Sequence, residues 1–218
     1  MTGVPALAAR RIRRSFPGGF SLRLDELAVE AGTTCGFTGP NGAGKTVLLE
    51  TLGLLEPPDE GSIEIMGRRV FPGPASREAR MSLAIVMQRP YLFRGTVARN
   101  VGYGLAARGL SRPERTRRVD ACLELLGLTR LAGADIRRLS AGEARWVAIA
   151  RALVLDPAIL VLDEPAAHLD EPHAVALDGL IRGMHGRTTV LFSAHDPDQT
   201  LGCDRVFALD NGAVKPVR

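Results

Sequence analysis

The chain is short of lysine, of aromatic residues and of cysteine. Only Lys45 and Lys215 are lysines, so the 28 Lys+Arg residues are almost all arginine, and the net charge is +4 over 218 residues. This mild basic excess is spread along the chain, and no basic stripe is interleaved with aromatic residues. We therefore expect no nucleic-acid partner.

The cysteine spacing and the length of the hydrophobic runs exclude further classes of protein. Cys35, Cys122 and Cys203 are far apart and form no C-x-x-C pair, which favours neither a disulfide framework nor a metal site and indicates a reducing, cytoplasmic compartment. No stretch reaches the roughly 18 consecutive apolar residues of a membrane helix, and the first residues lack the apolar core of a signal peptide. If membranes are involved, we expect another chain to span them.

The hydrophobic pattern predicts one α/β domain. Short apolar runs at Ile159–Leu162 and Thr188–Phe192 are typical of a parallel sheet covered on both faces. The alternation Phe20–Leu24 predicts a half-exposed strand at an antiparallel edge. Residues 91–139 are predicted to be helical, with a capping box formed by Ser111 and Glu114.

A complete phosphate-loop pattern follows the apolar run at residues 35–37 and precedes a helix-like stretch. Its glycines let backbone amides curl around a phosphate, and the helix adds its positive N-terminal end. Lys45 supplies charge to the β- and γ-phosphates, and Thr46 offers a hydroxyl to Mg²⁺. The predicted nucleotide-binding residues are Gly39, Pro40, Asn41, Gly42, Ala43, Gly44, Lys45 and Thr46.

A carboxylate pair follows the apolar run that ends at Leu162. Because open parallel sheets bind ligands at the carboxyl ends of their strands, Asp163 and Glu164 are predicted to face the nucleotide. Asp163 would hold Mg²⁺ through water. Glu164 would polarise the attacking water as a general base. ATP and Mg²⁺ are therefore the expected cofactors.

Between these motifs, residues 139–143 read LSAGE and open an amphipathic stretch that is predicted to be a helix capped by Ser140 and Glu143. Taken alone, this segment indicates an ordinary capped helix. In this order of motifs, however, the chain resembles the ATP-binding cassette family, whose signature LSGGQ precedes ILVLDE. Ser140, Ala141, Gly142 and Glu143 match that signature, with Ala141 in place of a glycine and Glu143 in place of a glutamine.

The resemblance covers nearly the whole chain and implies further site residues. Gln88 matches the glutamine that senses Mg²⁺ and water, His195 matches the switch histidine that contacts the γ-phosphate, and Asp170 matches an acidic residue at the subunit interface. Phe16 resembles the aromatic that stacks on adenine, and Phe20 is a competing candidate. Trp146 stands where arginine is common in the family.

The implied fold is a phosphate-loop NTPase with a mostly parallel core sheet, an N-terminal antiparallel β subdomain and an inserted α-helical subdomain. Residues 1–218 would form a single cassette domain, with the core at about 1–88 and 150–218 and the helical subdomain at about 89–149.

The resemblance also implies partners. Two cassette subunits, as a homodimer, would pack head to tail so that Ser140 and Gly142 of one close over the ATP held by Lys45 of the other. Integral membrane permease subunits would bind the pair at the cytoplasmic face of the cell membrane. The stretch after Gln88 is similar to the corresponding stretch of importers for oxyanions such as tungstate, molybdate and phosphate. This similarity adds an extracytoplasmic solute-binding protein to the implied partners.

Three alternatives stay open: a soluble cassette ATPase that acts on nucleic acid or ribosomes, a cell-division cassette protein, and the ATPase subunit of an exporter. Soluble members that act on DNA carry long coiled-coil insertions. Only 52 positions separate Gln88 from Ser140, which leaves no room for such an insertion and favours transport.

Overall fold

The computed structural model describes residues 4–167, 169, 171–195, 197–200 and 202–217. Within them the chain forms one mixed sheet with helices packed around it. The strands are β1 (Leu7–Ser15), β2 (Ser21–Val29), β3 (Thr34–Thr38), β4 (Glu60–Ile65), β5 (Arg68–Phe71), β6 (Leu83–Val86), β7 (Ile159–Leu162), β8 (Thr189–Ala194), β9 (Arg205–Asp210) and β10 (Ala213–Pro216). The helices are α1 (Lys45–Leu52), α2 (Arg77–Met81), α3 (Val97–Val101), α4 (Tyr103–Ala107), α5 (Arg112–Leu125), α6 (Ala141–Leu153) and α7 (Glu171–Gly183).

The sheet order is β5-β4-β1-β2-β10-β9-β3-β8-β7-β6. From β9 to β6 every neighbouring pair is parallel. Every residue of β7 and β8 is buried, as expected for strands that are covered on both faces. The prediction of a mostly parallel core sheet is confirmed.

The other end of the sheet is largely antiparallel, with β1 paired to both β2 and β4. The prediction that the alternating segment at Phe20–Leu24 forms an edge is wrong, because β10 pairs with β2 on its free side through Ala213 and Arg23. Asn211 and Gly212 form the turn that returns the chain from β9 to β10. That hairpin delivers the extra strand that covers β2.

The segment between β6 and β7 is helical, as predicted. On α5 the apolar face is buried at Val119, Cys122 and Leu123. The predicted capping box is wrong, since the Ser111 side chain makes no cap hydrogen bond. Glu114 instead accepts hydrogen bonds from two arginines in the next turn of α5, and these bonds lower its pKa to about 2.

Two groups of buried apolar side chains flank the sheet. One joins the antiparallel strands to α1, and includes Leu48, Leu49 and Leu52. The other joins the parallel strands to α3, α5 and α6. Full burial of a leucine or isoleucine contributes about 1.5–3 kcal/mol to the stability of the fold. One group therefore holds α1 against the sheet, and the other holds α6 against it.

Candidate functional site

Four loops that follow neighbouring parallel strands meet at one edge of the sheet. The strands β3, β8, β7 and β6 are adjacent and run in the same direction, so their carboxyl ends lie side by side. The residues that follow them are the loop 39–44 after β3, His195 after β8, Asp163 and Glu164 after β7, and Gln88 after β6. The topology therefore brings together motifs that are far apart in sequence.

The phosphate loop turns tightly and leads into α1. Gly44 has a φ of 103°, a left-handed conformation that favours glycine, and a Cβ there would lie 2.6 Å from the Phe20 ring. Ala43 is buried, and its amide donates to the Pro40 carbonyl. Within the described part of the chain, no side chain caps α1 and its first turn holds no acidic residue. Its free amides and positive helix end suit an anion.

Lys45 lies at the start of α1 with only 5% of its surface exposed. Its Nζ donates to the carbonyls of Gly39 at 2.7 Å and Pro40 at 3.3 Å, and lies 3.4 Å from a carboxylate oxygen of Glu164. The loop therefore folds back over its own lysine. These contacts place one positive charge between the phosphate loop and the carboxylate pair.

Thr46 and Asp163 form an oxygen-rich contact. The Thr46 hydroxyl donates to Asp163 Oδ2 at 2.8 Å, and the buried Ser193 hydroxyl donates to Asp163 Oδ1 at 2.6 Å. Asp163 is 1% exposed, so these bonds offset the cost of burying its charge. A hydroxyl beside a carboxylate fits Mg²⁺, which prefers oxygen ligands. Among the described residues no group of three or more His, Cys, Asp or Glu could hold a metal.

Glu164 has a φ of 45°, which is unusual for a residue with a side chain. Hydrogen bonds on three sides hold it. Its amide donates to Ser193 Oγ at 2.8 Å, its carbonyl accepts from Arg145 Nη1 at 3.0 Å, and its carboxylate accepts from Gln88 Nε2 at 2.7 Å. Left-handed backbone at a non-glycine residue costs on the order of 1–3 kcal/mol and persists only where the surroundings hold it.

The signature-like segment forms the start of α6. Ser140 Oγ accepts from the Glu143 amide at 3.2 Å, and Glu143 Oε2 accepts from the Ser140 amide at 2.8 Å, so the predicted capping box is confirmed. The bond from the Ser140 amide lowers the pKa of Glu143. Ser140 and Ala141 are exposed, and Gly142 is half-buried. No hydrogen bond or ion pair between the described residues joins this segment to the phosphate loop.

The remaining predicted residues lie apart from these contacts. His195 is exposed directly after β8. Phe16 and Phe20 are both half-buried, with ring centroids 5.8 Å apart; Phe20 lies against Gly44, and the Arg14 guanidinium lies over Phe16. Asp170 lies outside the described residues.

Sequence reasoning assigned no role to Arg145 or Ser193, although both contact the site. The available signals were weak: a charged residue inside the amphipathic α6 and a hydroxyl at the end of an apolar strand. Trp146, the departure noted above, is 4% exposed and packs in the core. Its buried Nε1 has no hydrogen-bond partner among the described residues.

A phosphate loop at the end of β3, with a carboxylate pair at the end of β7, defines a phosphate-loop nucleoside triphosphatase. Residues 22–167 match the family model described as ABC transporter. The chain belongs to the ABC transporter family and is an ATPase of that family.

Known proteins that resemble the chain agree with this assignment. A probable anion import ATP-binding protein of Haloferax volcanii is 38% identical over 209 residues, which cover 88% of this chain and 73% of that protein. A methionine import ATP-binding protein of Thermobifida fusca is 38% identical over 200 residues, or 89% of this chain and 62% of that protein.

A solved ATP-binding cassette, in a dimeric post-hydrolysis state bound to ADP and Pi, superposes with a TM-score of 0.85 at 26% identity. The match covers 97% of this chain and 99% of that one. In the described part of this chain, none of the helices has the length and apolar character needed to cross a bilayer.

Proposed function

We propose that this chain is the ATP-hydrolysing subunit of a membrane importer for a small solute. The observation that carries the proposal is the hydrogen-bonded set at the strand ends, in which Lys45, Gln88 and Glu164 converge. ATP hydrolysis needs a cation that binds phosphate and a carboxylate that activates water. Lys45 and Glu164 would fill these roles, and the Gln88 amide would orient the carboxylate.

The phosphate loop and the start of α1 would bind the nucleotide. The amides of residues 39–46 would surround the β-phosphate, and Lys45 would exchange its loop carbonyls for phosphate oxygens. Thr46 and Asp163 would hold Mg²⁺. When bound, that ion neutralises charge on the phosphate oxygens. Phe16 would stack on adenine, because Phe20 already lies against Gly44 of the loop.

Glu164 would accept a proton from the attacking water. Its carboxylate lies between the Lys45 ammonium at 3.4 Å and the Gln88 amide at 2.7 Å, so its direction is set from both sides. Gln88 would also sense the metal and the water. His195, exposed at the end of the neighbouring strand, would reach the γ-phosphate from the other side.

Completion of the site requires a second cassette subunit. Among the described residues, the exposed N-terminus of α6 makes no hydrogen bond to its own phosphate loop, yet it has the amides and the serine of an anion site. In a head-to-tail homodimer, Ser140, Ala141, Gly142 and Glu143 would contact the ATP bound by the partner. Asp170 would lie at the same interface. Residues of about 89–149 would act as the helical subdomain that moves against the core.

The permease would dock beside Gln88. Tyr91, Phe93 and Tyr103 form an aromatic patch in which Phe93 stacks on Tyr103 at 4.3 Å and meets Tyr91 edge-on at 5.5 Å. Tyr91 is 72% exposed and Tyr103 is 52% exposed, and exposed aromatics grouped in this way are typical of protein contacts. Because the patch follows Gln88 in the chain, docking there would reach the catalytic carboxylate.

We infer an oxyanion such as tungstate, molybdate or phosphate as the cargo, which rests on the anion-import relative and on the residues after Gln88. The methionine-import relative has the same percentage identity, so the test below compares oxyanions with methionine. The assembly would sit at the cytoplasmic face of the cell membrane, with a solute-binding protein on the other side.

The test is affinity capture of tagged Glu164→Gln protein from detergent-solubilised native membranes in ATP, with mass spectrometry of what co-purifies. We expect a polytopic permease, whose solute-binding protein then takes up tungstate, molybdate or phosphate and not methionine in a direct binding assay. Recovery of ribosomal or DNA-associated partners alone would contradict transport.

Two further variants of the Glu164→Gln protein locate the contact. Tyr91→Ala should lose the permease and keep ATP binding. Leu125→Ala is the matched control, because Leu125 is equally exposed at 72% but lies on α5 outside the patch. Equal loss of the permease in both variants would remove the patch from docking.

A further inference from the structure

Arg145 joins α6 to two of the catalytic loops. It lies in the second turn of the helix and is 5% exposed. Nη1 donates to the Glu164 carbonyl at 3.0 Å, and Nη2 donates to the Gln88 carbonyl. A single planar guanidinium therefore binds the main-chain carbonyls of both Gln88 and Glu164, the two residues whose side chains are hydrogen-bonded to each other.

The burial of this charge is costly. Burial lowers the pKa of Arg145, while the charges of Asp163 and Glu164 act in the opposite direction. No carboxylate among the described residues forms an ion pair with it, so its polar bonds within that part of the chain are to main-chain carbonyls. Replacement of a buried ion pair by apolar residues of similar volume is often neutral or stabilising, and a buried charge without an ion-pair partner is costlier still. Stability alone therefore gives little reason for an arginine at this position.

The hydrogen bond from Arg145 to Glu164 binds a residue whose backbone conformation is unusual. Glu164 has a φ of 45°. Ser193 holds its amide, and its carbonyl accepts hydrogen bonds from Arg145 and from the Ala167 amide. Removal of the arginine would leave the carbonyl with the Ala167 amide alone, break its link to α6 and to the Gln88 carbonyl, and let the peptide relax. Because the carboxylate follows its own backbone, relaxation would move it away from Lys45 and Gln88.

The same helix starts at the segment that faces the partner. Arg145 lies five residues after Ser140, or roughly 7.5 Å along a helix axis. In the proposed dimer, Ser140 contacts ATP in one site while Arg145 grips Gln88 and Glu164 of the other. The first two turns of one helix would therefore contact both ATP sites.

We propose that Arg145 is a positioning residue that links the two ATP sites of the dimer. When Ser140 engages the nucleotide held by the partner, α6 shifts and Arg145 brings Glu164 and Gln88 of its own chain into line. This inference rests on the proposed function. Its consequence is positive cooperativity in ATP hydrolysis, with a Hill coefficient that approaches about 2, the number of sites.

Three variants test the link. Arg145→Met keeps length and removes every donor, and Arg145→Lys keeps the charge but loses the planar fork. The matched control is Arg108→Met. Arg108 also donates to two main-chain carbonyls, those of Leu155 at 2.8 Å and Met81 at 2.6 Å, but these precede β6 and β7, away from the catalytic loops.

For each variant we would measure ATP affinity, steady-state kcat, the Hill coefficient and thermal stability. Arg145→Met should bind ATP within about threefold of the unmodified protein, because Lys45 and the loop are unchanged. Its kcat should fall about 10- to 100-fold, as expected for a misplaced catalytic group, and its Hill coefficient should drop to about 1. Arg145→Lys should recover part of the kcat, and Arg108→Met should keep both kcat and cooperativity.

The outcomes separate the two proposals. A normal kcat and Hill coefficient in Arg145→Met, or an equal loss of both in Arg108→Met, would overturn the role of Arg145 and leave the ATPase intact. A Hill coefficient of about 1 in the unmodified, active protein would do the same. Failure of the unmodified protein to hydrolyse ATP at all would instead contradict the proposed function.

Discussion

The side-chain amide of Gln88 donates to a carboxylate oxygen of Glu164 over 2.7 Å, across the ends of two neighbouring parallel strands. The other oxygen of that carboxylate lies 3.4 Å from Lys45. The residue after Gln88 begins the stretch assigned to the permease, and Glu164 is assigned to water. In the proposed assembly, this contact would connect permease docking to the hydrolytic step.

Glu164→Gln should abolish ATP turnover and keep ATP binding. The amide has nearly the shape of the carboxylate but cannot accept the proton of water at neutral pH, and loss of a general base costs about 10²–10⁴-fold. Phosphate release and equilibrium binding of ATP would be measured side by side. Glu124→Gln, an exposed change on α5, is the control. Retained turnover in Glu164→Gln would remove Glu164 from the base role.

Ser193→Ala should lower both stability and turnover. The buried hydroxyl donates to Asp163 and accepts from the Glu164 amide, so its removal leaves two polar groups without that partner, at a cost of about 1–3 kcal/mol. Denaturant unfolding and kcat would be measured. Ser82→Ala, which also loses one hydroxyl bond, lies before β6 and should destabilise the fold without a change in kcat. Unchanged turnover in Ser193→Ala would show that Ser193 does not position Glu164.

Ala141→Gly should leave turnover equal or raise it. Ala141 is exposed in the first turn of α6, in the segment assigned to the partner's nucleotide, and its methyl restricts how closely a phosphate can approach the backbone. Steady-state turnover of the two proteins at saturating ATP is the comparison. A severe loss in the glycine variant would refute this steric interpretation.

Glu143→Gln should make the free energy of unfolding less dependent on pH in the acidic range. The Ser140 amide lowers the pKa of Glu143 below its ordinary value of 4.5, so ionised Glu143 stabilises the fold above that value, and the contribution is lost as the pH falls through the folded pKa. Glutamine can still accept the cap hydrogen bond but carries no charge. At pH 7 the unmodified protein should therefore be more stable than Glu143→Gln by only about 0.3–1 kcal/mol.

The measurement for Glu143 is urea unfolding of both proteins between about pH 7 and pH 3. The difference in unfolding free energy should shrink as the pH drops below 4.5. A difference that stays constant or grows toward low pH would mean that the capping bond does not depend on the charge of Glu143.

Local sequence patterns were enough for the parallel core and for the residues that follow its strands. The buried runs before Asp163 and before the phosphate loop predicted strands, and parallel pairing then required their ends to meet. The capping box at Ser140 is equally local. These features depend on residues that are close in the sequence.

Which partner a residue takes could not be predicted in this way, whether that partner lies in a distant segment or in the next turn of the same helix. The position of β2 inside the sheet depends on a single pairing of Ala213 with Arg23, about which an alternating pattern carries no information. Ser111 and Glu114 fit a capping box, but two arginines in the next turn bind the carboxylate instead. Arg145 was missed for a similar reason, because its partners are main-chain carbonyls.

The measurement that tests the central claim most directly is sedimentation of Glu164→Gln protein with and without ATP and Mg²⁺. ATP should convert monomer to dimer, ADP should not, and the added change Ser140→Arg should restore the monomer because the N-terminus of α6 would no longer fit the partner's nucleotide. A protein that binds ATP and remains monomeric would contradict the head-to-tail site on which the proposed hydrolysis and transport depend.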